Sequence, residues 1–216
     1  MLKPFLSVII PVKNEANRLP LTLVDIDERL STADYSSEIV VASYGSTDGT
    51  PDIVKKMSSV LKNLKLVVSA KNKGIGFATR QGMLLSSGEV KLLTNVDNLI
   101  KIDEFNHMLP LFKEGHEVVI GSRIPGQDFK LPIWRSRKMI FTKLANLVLR
   151  ASLFKGLSDP TSNFRAFKEE AAEKVFNLAK ANFSSANLET LFLARKNNLR
   201  IKEVPVFTSA PTPTLL

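Results

Sequence analysis

Apolar positions along this chain fall into short unbroken runs, separated by stretches of helical spacing. Leu6-Ser7-Val8-Ile9-Ile10-Pro11 is a β-branched run ended by proline, which predicts a buried strand. Leu19, Leu23, Ile26 and Leu30 recur at helical intervals and predict a helix over Asn17 to Leu30. Glu38 to Ala42 predicts a second strand, broken by the turn-rich Tyr44-Gly45-Ser46-Thr47-Asp48-Gly49. Thr50-Pro51 predicts a helix start, with Thr50 as N-cap and Pro51 at the first helical position. The alternation continues with a strand over Leu64 to Val68, a helix over Gly74 to Leu85 and a strand over Val90 to Leu93. A helix over Ile102 to Phe112 and a strand over Glu117 to Ile120 follow.

The second half is less regular. Trp134 to Ala151 predicts a basic amphipathic helix, with Ile140, Leu144, Leu147, Val148 and Ala151 near one face. Asp159 to Phe167 predicts a loop entering a short strand, then helices over Glu169 to Leu178 and Leu188 to Asn197. Arg200 to Phe207 predicts a last strand, and the proline- and threonine-rich Thr208 to Leu216 a loose tail. No internal repeat or domain boundary interrupts residues 1–207, which read as one unit. Strands alternating with helices place the chain in the α/β class, with a mostly parallel central sheet and helices on both faces. Ligands in such sheets bind beyond the carboxyl ends of the strands. The segments to inspect are Val12 to Asn17, Ser43 to Asp48, Ser69 to Gly76, Asn95 to Asn98, and Ser122 onward.

Composition narrows the chemistry. A length of 216 residues, 44% hydrophobic and 24% charged, suits one globular domain with a sizeable core. The absence of cysteine excludes disulfides, thiolate metal sites and a cysteine nucleophile. The N-terminal residues lack a signal-peptide pattern and no apolar stretch reaches 18 residues, so the expectation is a cytoplasmic protein, soluble or peripheral on the cytoplasmic membrane face. A net charge of +9 favours anionic partners: nucleotide phosphates, anionic lipid or nucleic acid. It serves equally as a general solubility charge. Arg135, Arg137, Lys138 and Lys143 cluster, which favours a local anionic target. No interleaved aromatic or nucleic-acid motif accompanies them, so no nucleic-acid partner is expected.

Strand-end signals arrive in a definite order. Ser7-Val8-Ile9-Ile10-Pro11 is followed by Asn14-Glu15, then by Gly45-Ser46-Thr47-Asp48-Gly49-Thr50. Asn72-Lys73-Gly74-Ile75-Gly76 leads to Arg80 and Gly82, then Asn95-Val96-Asp97 and Val119-Ile120-Gly121-Ser122-Arg123. Asp159-Pro160-Thr161-Ser162-Asn163-Phe164-Arg165 comes next, and Glu189 and Ile201-Lys202-Glu203-Val204-Pro205-Val206 close the series. This order resembles the family-2 inverting glycosyltransferases of GT-A (Rossmann-like) fold, and among them the polyprenyl-phosphate (dolichyl-phosphate) mannose and glucose synthases. The resemblance runs from about Leu6 to Phe207. It implies transfer of a hexose from a GDP- or UDP-sugar to a polyprenyl phosphate or related acceptor. Many relatives carry a C-terminal membrane anchor, which a membrane surface or an anchoring partner would replace.

Transfer from a nucleoside diphosphate needs the leaving diphosphate neutralised, commonly by Mg²⁺ or Mn²⁺ held by one or two carboxylates and the phosphates. The family supplies Asp-x-Asp; here Asn95 precedes Val96-Asp97. The resemblance implies that Asp97 is the metal ligand, with weak metal binding because Asn95 is neutral. Asn95 can still hydrogen-bond a ribose or a metal-bound water. The family's acidic pair after the second strand is Ser43-Tyr44, which implies weaker or different nucleotide binding. Lys13 stands where relatives carry an aromatic residue. Pro11, Glu15, Ser43, Gly74, Arg80 and Asn95 are implied at the donor side. The Gly74-Ile75-Gly76 loop either exposes amides to an anion or is a plain turn. Asp97, Arg123, Asp159 and Glu189 form the implied catalytic set, and Arg137, Lys138, Lys143 and Arg165 the acceptor-phosphate set. Asn163 replaces a glycine, and Asn187 replaces an Asp that many relatives carry two residues before Glu189. A phosphate acceptor is already ionised and needs no general base. The alternative is a non-catalytic paralogue that binds a partner, motivated by Lys13, Ser43-Tyr44, Asn95 and Asn163.

Overall fold

A computed structural model describes residues 3–123, 156–183 and 185–209. The predicted helix over Trp134 to Ala151, with Arg137, Lys138 and Lys143, lies outside the described residues. A seven-stranded sheet organises the rest: β1 (Leu6–Val12), β2 (Ser37–Tyr44), β3 (Leu64–Ser69), β4 (Val90–Leu93), β5 (Val118–Arg123), β6 (Arg165–Lys168) and β7 (Ile201–Val206). Their spatial order is β3-β2-β1-β4-β6-β5-β7. Every β1 residue is buried, as expected of an apolar run covered on both faces.

β6 alone among the described strands runs antiparallel to its neighbours, pairing Leu93 and Ile120 with Arg165. The reversal has a functional consequence. The start of β6, and the loop that leads into it, lie at the carboxyl ends of β4 and β5, where the parallel strands open.

Helices α1 (Leu19–Ser31), α2 (Thr50–Met57), α3 (Ile75–Leu85), α4 (Leu109–Lys113), α5 (Glu169–Leu178) and α6 (Ala186–Lys196) cover the sheet. Side chains alternate between faces along each strand. Val8, Ile10, Ile39, Val41 and Leu92 pack with Leu19, Leu23 and Ile26 of α1 and with Phe105 and Phe112. Ile9, Val40 and Leu93 pack on the other face with Met83 of α3 and Val175 and Phe176 of α5. Burial of this kind contributes about 1.5–3 kcal/mol per large apolar side chain.

Three local expectations shift. Gly49, at φ 80°, occupies the cap position of α2, and Thr50 is already helical. A left-handed backbone at this turn requires the glycine, so Thr50 moves into the first turn and its hydroxyl serves another loop. The helix expected over Ile102 to Phe112 splits into a 3-10 helix (Ile102–His107) and α4. Pro110 lacks the N–H that would bond back to Asn106, so one continuous helix cannot form. β5 runs on through Gly121-Ser122 to Arg123, because β7 pairs with it as far as Arg123↔Val206. The start of the tail is held: Ser209 N–H donates to Leu99 O at 2.7 Å. No described helix is long and apolar enough to cross a membrane.

Candidate functional site

The loops after β1 and β2 are fastened to each other before any ligand is considered. Asn14, at φ 55°, accepts the Thr47 N–H at Oδ1 (2.8 Å), and its own N–H donates to Ser46 Oγ (3.2 Å). Asp48 accepts from Ala16 N–H (3.0 Å) and Thr50 N–H (3.1 Å), while Thr50 Oγ1 accepts from Glu15 N–H (3.0 Å). Burial raises the Asp48 carboxyl pKa, but these hydrogen bonds outweigh it and hold the group below the usual carboxylate range. Asn14, Asp48 and Thr50 therefore join the loops after β1 and β2. Their signal in the sequence was a turn-rich composition that assigned them no partner.

Ser43 is buried and shares a hydrogen bond with Ser46 Oγ at 3.0 Å, so its hydroxyl is engaged within its own loop. Tyr44 is half-buried, its phenol pKa raised by burial and by the nearby Glu15 charge. Glu15 pairs with Arg18 at 3.5 Å. Pro11 stands two residues beyond the last β1–β4 pair, Ile9↔Leu93, where a missing N–H costs no ladder bond.

Asp97 lines a cleft of about 80 Å³ at the carboxyl end of the sheet, and is the only acidic side chain among its described lining residues. Its loop is held at two points by α1. Thr22 Oγ1 of α1 donates to Val96 O at 2.7 Å, and Asn98 Nδ2 donates to Asp25 at 2.7 Å. Asp97 Oδ1 accepts the Leu99 N–H at 3.3 Å. No group of three or more His, Asp or Glu side chains able to hold a metal occurs among the described residues. One carboxylate fits a cation that arrives with a diphosphate, rather than one caged by protein alone.

Arg123 lines the same cleft from β5, and Asp159, in the loop before β6, binds it from behind. The guanidinium grips the carboxylate at two points, Nε–Oδ2 2.6 Å and Nη2–Oδ1 3.0 Å, and also reaches Thr161. Burial raises the Asp159 pKa, but hydrogen bonds from Arg123 and Thr161 and the Arg123 charge outweigh it, and the carboxyl stays ionised well into acid. Glu203 of β7 accepts both the Ser158 and Asp159 N–H groups, at 2.7 and 2.8 Å, and fixes this turn.

The remaining expected residues act inside the scaffold. Arg165 was expected at the acceptor phosphate and is instead fully buried. Its guanidinium donates to Ser162 O (2.8 Å), Asn187 O (2.8 Å) and Pro160 O (3.2 Å), and clips the loop before β6 to the head of α6. The cause is register: Arg165 begins the central reversed strand, flanked by Leu93 and Ile120. Gly74 and Gly76 face the chain at 181–183, and the Gly76 N–H donates to Asn182 O at 2.8 Å. The Gly76 N–H is thus engaged within the chain. Arg80 of α3 donates to Ala179 O (2.9 Å) and Asn182 Oδ1 (3.3 Å). Glu189 of α6 accepts the Lys180 and Ala181 N–H groups, the latter at 2.8 Å. Gly76, Arg80 and Glu189 thus hold one segment, residues 179–182, beside the cleft. The structure brings Asn95, Asp97 and Arg123 together around the cleft, with Asp159 on Arg123.

Comparison with known proteins places this geometry. A dolichyl-phosphate beta-glucosyltransferase of Dictyostelium discoideum is 31% identical over 217 aligned residues, covering 94% of this chain and 65% of the relative. One from Trichomonas vaginalis is 28% identical over 213 residues, with the same 94% and 65% coverage. The chain thus spans just under two thirds of the length of these relatives. Among solved structures, glucosyl-3-phosphoglycerate synthase of Mycobacterium tuberculosis, in complex with Mn²⁺, UDP-glucose and phosphoglyceric acid, superposes with a TM-score of 0.66. At 21% identity, covering 96% of this chain and 71% of that one, it shares the fold. The model of the family described as Glycosyl transferase family 2 matches residues 7–176, and the chain belongs to that family.

Proposed function

We propose that the protein transfers a hexose, glucose by the names of its relatives, from a nucleoside-diphosphate sugar to a polyprenyl-phosphate acceptor. The observation that carries this is a cleft lined by Asp97, the only acidic side chain among its described lining residues, and by Arg123, which is locked to Asp159. In one displacement the bond from the anomeric carbon to the leaving diphosphate breaks. A bond from that carbon to an acceptor phosphate oxygen forms. The oxygen is already ionised near neutral pH, so no side chain must remove a proton. Asp97 would hold a Mg²⁺ or Mn²⁺, which when bound neutralises charge on the leaving diphosphate. Arg123 supplies a fixed cation for phosphate oxygens, aligned by Asp159, which is itself aligned by Glu203. A polyprenyl acceptor brings the protein to the cytoplasmic face of a membrane, and the net charge of +9 supports contact with anionic lipid there. The relatives' names lend no support to the non-catalytic alternative.

Calorimetric titration with UDP- and GDP-glucose, with and without Mn²⁺, tests the reading. We expect Mn²⁺-dependent binding of one of them, and glucose transfer to a polyprenyl phosphate. Asp97→Asn should lower the transfer rate by on the order of 10²–10³ and abolish the Mn²⁺ dependence. Absence of nucleotide binding under every condition refutes the proposal.

A further inference from the structure

Three departures from the family pattern, far apart in sequence, meet in one place. Asn95 follows β4, Asn163 lies in the loop before β6, and Asn187 sits in the first turn of α6. Asn163 Nδ2 donates to Asn95 Oδ1 at 2.8 Å, and Asn187 Nδ2 donates to Asn163 Oδ1. Asn95 and Asn163 line both the Asp97 cleft and an adjoining small cavity that Asn187 closes. The backbone supports the same contact, because Arg165 joins Ser162 O to Asn187 O.

Valence explains the amides at 163 and 187. A carboxamide offers both an acceptor oxygen and a donor NH₂, so three can be linked head to tail. A glycine at 163 reaches neither neighbour. A carboxylate at 187 has no proton to give and would set its charge against the Asn163 oxygen. A carboxylate at 95 would accept the same bond, more strongly.

We infer that Asn95, Asn163 and Asn187 form one neutral positioning chain, in which Asn187 orients Asn163 and Asn163 fixes the Asn95 carboxamide on the wall of the donor cleft. Asn95 Oδ1 thereby accepts from Asn163, an orientation that leaves its NH₂ as the group offered to a hydroxyl or phosphate oxygen of the donor. Asn95 is then a donor-contacting residue, while Asn163 and Asn187 are positioning residues that act through it. This rests on the proposed transfer reaction.

The test has an arm that needs no nucleotide. In ¹⁵N-labelled, ligand-free protein, Asn187→Ala should move the side-chain NH₂ resonances of both Asn163 and Asn95; an unmoved Asn163 signal overturns the chain. Asn187→Asp should lower the thermal midpoint more than Asn95→Asp, and the reverse order would overturn the donor direction. In the second arm, Asn163→Gly and Asn187→Ala should each weaken binding of UDP or GDP with Mn²⁺ by about 3–10-fold, the value of one ordinary hydrogen bond. Neither should have any further effect in an Asn95→Ala background. Full effects in that background would show a merely structural role and overturn the positioning assignment. If the wild type binds neither nucleotide, the transfer reading fails and with it the donor-contact role, while the resonances still decide whether the chain exists.

Discussion

Arg165→Met separates a scaffold role from a phosphate-binding role at a residue where sequence and structure point different ways. Methionine fills a comparable volume and makes no strong hydrogen bond. The substitution strips Pro160 O and Ser162 O of their guanidinium donors, while Asn187 O keeps the Thr190 hydroxyl at 3.0 Å. Each buried carbonyl left without a donor costs about 1–3 kcal/mol, or about 2–6 kcal/mol for the pair. Removing a buried cation offsets part of this, because desolvating an ion costs several kcal/mol. Burial pushes the Arg165 pKa down to about 10, the sign of that cost, and the nearby Asp159 charge recovers only part of it. The net expectation is a loss of about 2–3 kcal/mol. Urea unfolding at pH 7, followed by far-UV circular dichroism, should show a lower midpoint at unchanged m-value. Arg165→Lys should also destabilise, since an ammonium cannot span three carbonyls as a planar fork does. A variant within about 0.5 kcal/mol of wild type, the usual range for surface changes, that nevertheless loses acceptor binding would refute this reasoning.

Other consequences are equally direct. In Gly76→Ala the new Cβ would lie 2.5 Å from Ala181 O and 2.6 Å from the Ala186 Cβ, so α3 must move off the 181–186 backbone. The expected loss is about 1–3 kcal/mol, read as a lowered thermal midpoint, and an unchanged midpoint would contradict the close packing. Glu189→Gln keeps one acceptor oxygen for the Lys180 and Ala181 amides but loses the charge, and should cost about 1 kcal/mol in urea unfolding. No loss there would return Glu189 to a purely catalytic reading. Glu38, Asp48 and Asp159 all have carboxyl pKa values held below their unfolded values. Their contribution to stability is present above the unfolded pKa, about 4, and is lost as pH falls through the folded values. Unfolding free energy should therefore fall steeply below about pH 4, less so in Asp159→Asn, and a flat acid profile would contradict the pairing.

Much of the fold was legible because strands and helices announce themselves by period. Val8, Ile9 and Ile10, buried on both faces, cannot be read as anything but an internal strand once the helical spacing of Leu19, Leu23 and Ile26 follows. The order of strand-end motifs carried the family, and two of the residues it singled out, Asp97 and Arg123, line one cleft. Boundaries failed where one residue's backbone decided them: Gly49 took the cap from Thr50, and Pro110 divided a helix whose apolar spacing was continuous.

Sequence alone determined which residue types stand at each strand end, the neutral Asn95, Asn163 and Asn187 among them. Only the tertiary structure decided what each does, because a side chain's role depends on what the reversed strand β6 brings beside it. That reversal buries Arg165 among carbonyls instead of exposing it to a phosphate. It also places Asn163 between Asn95 and Asn187, joining three asparagines that stand far apart in the sequence. The physical reason is that hydrogen-bond valence is local in space and not in sequence.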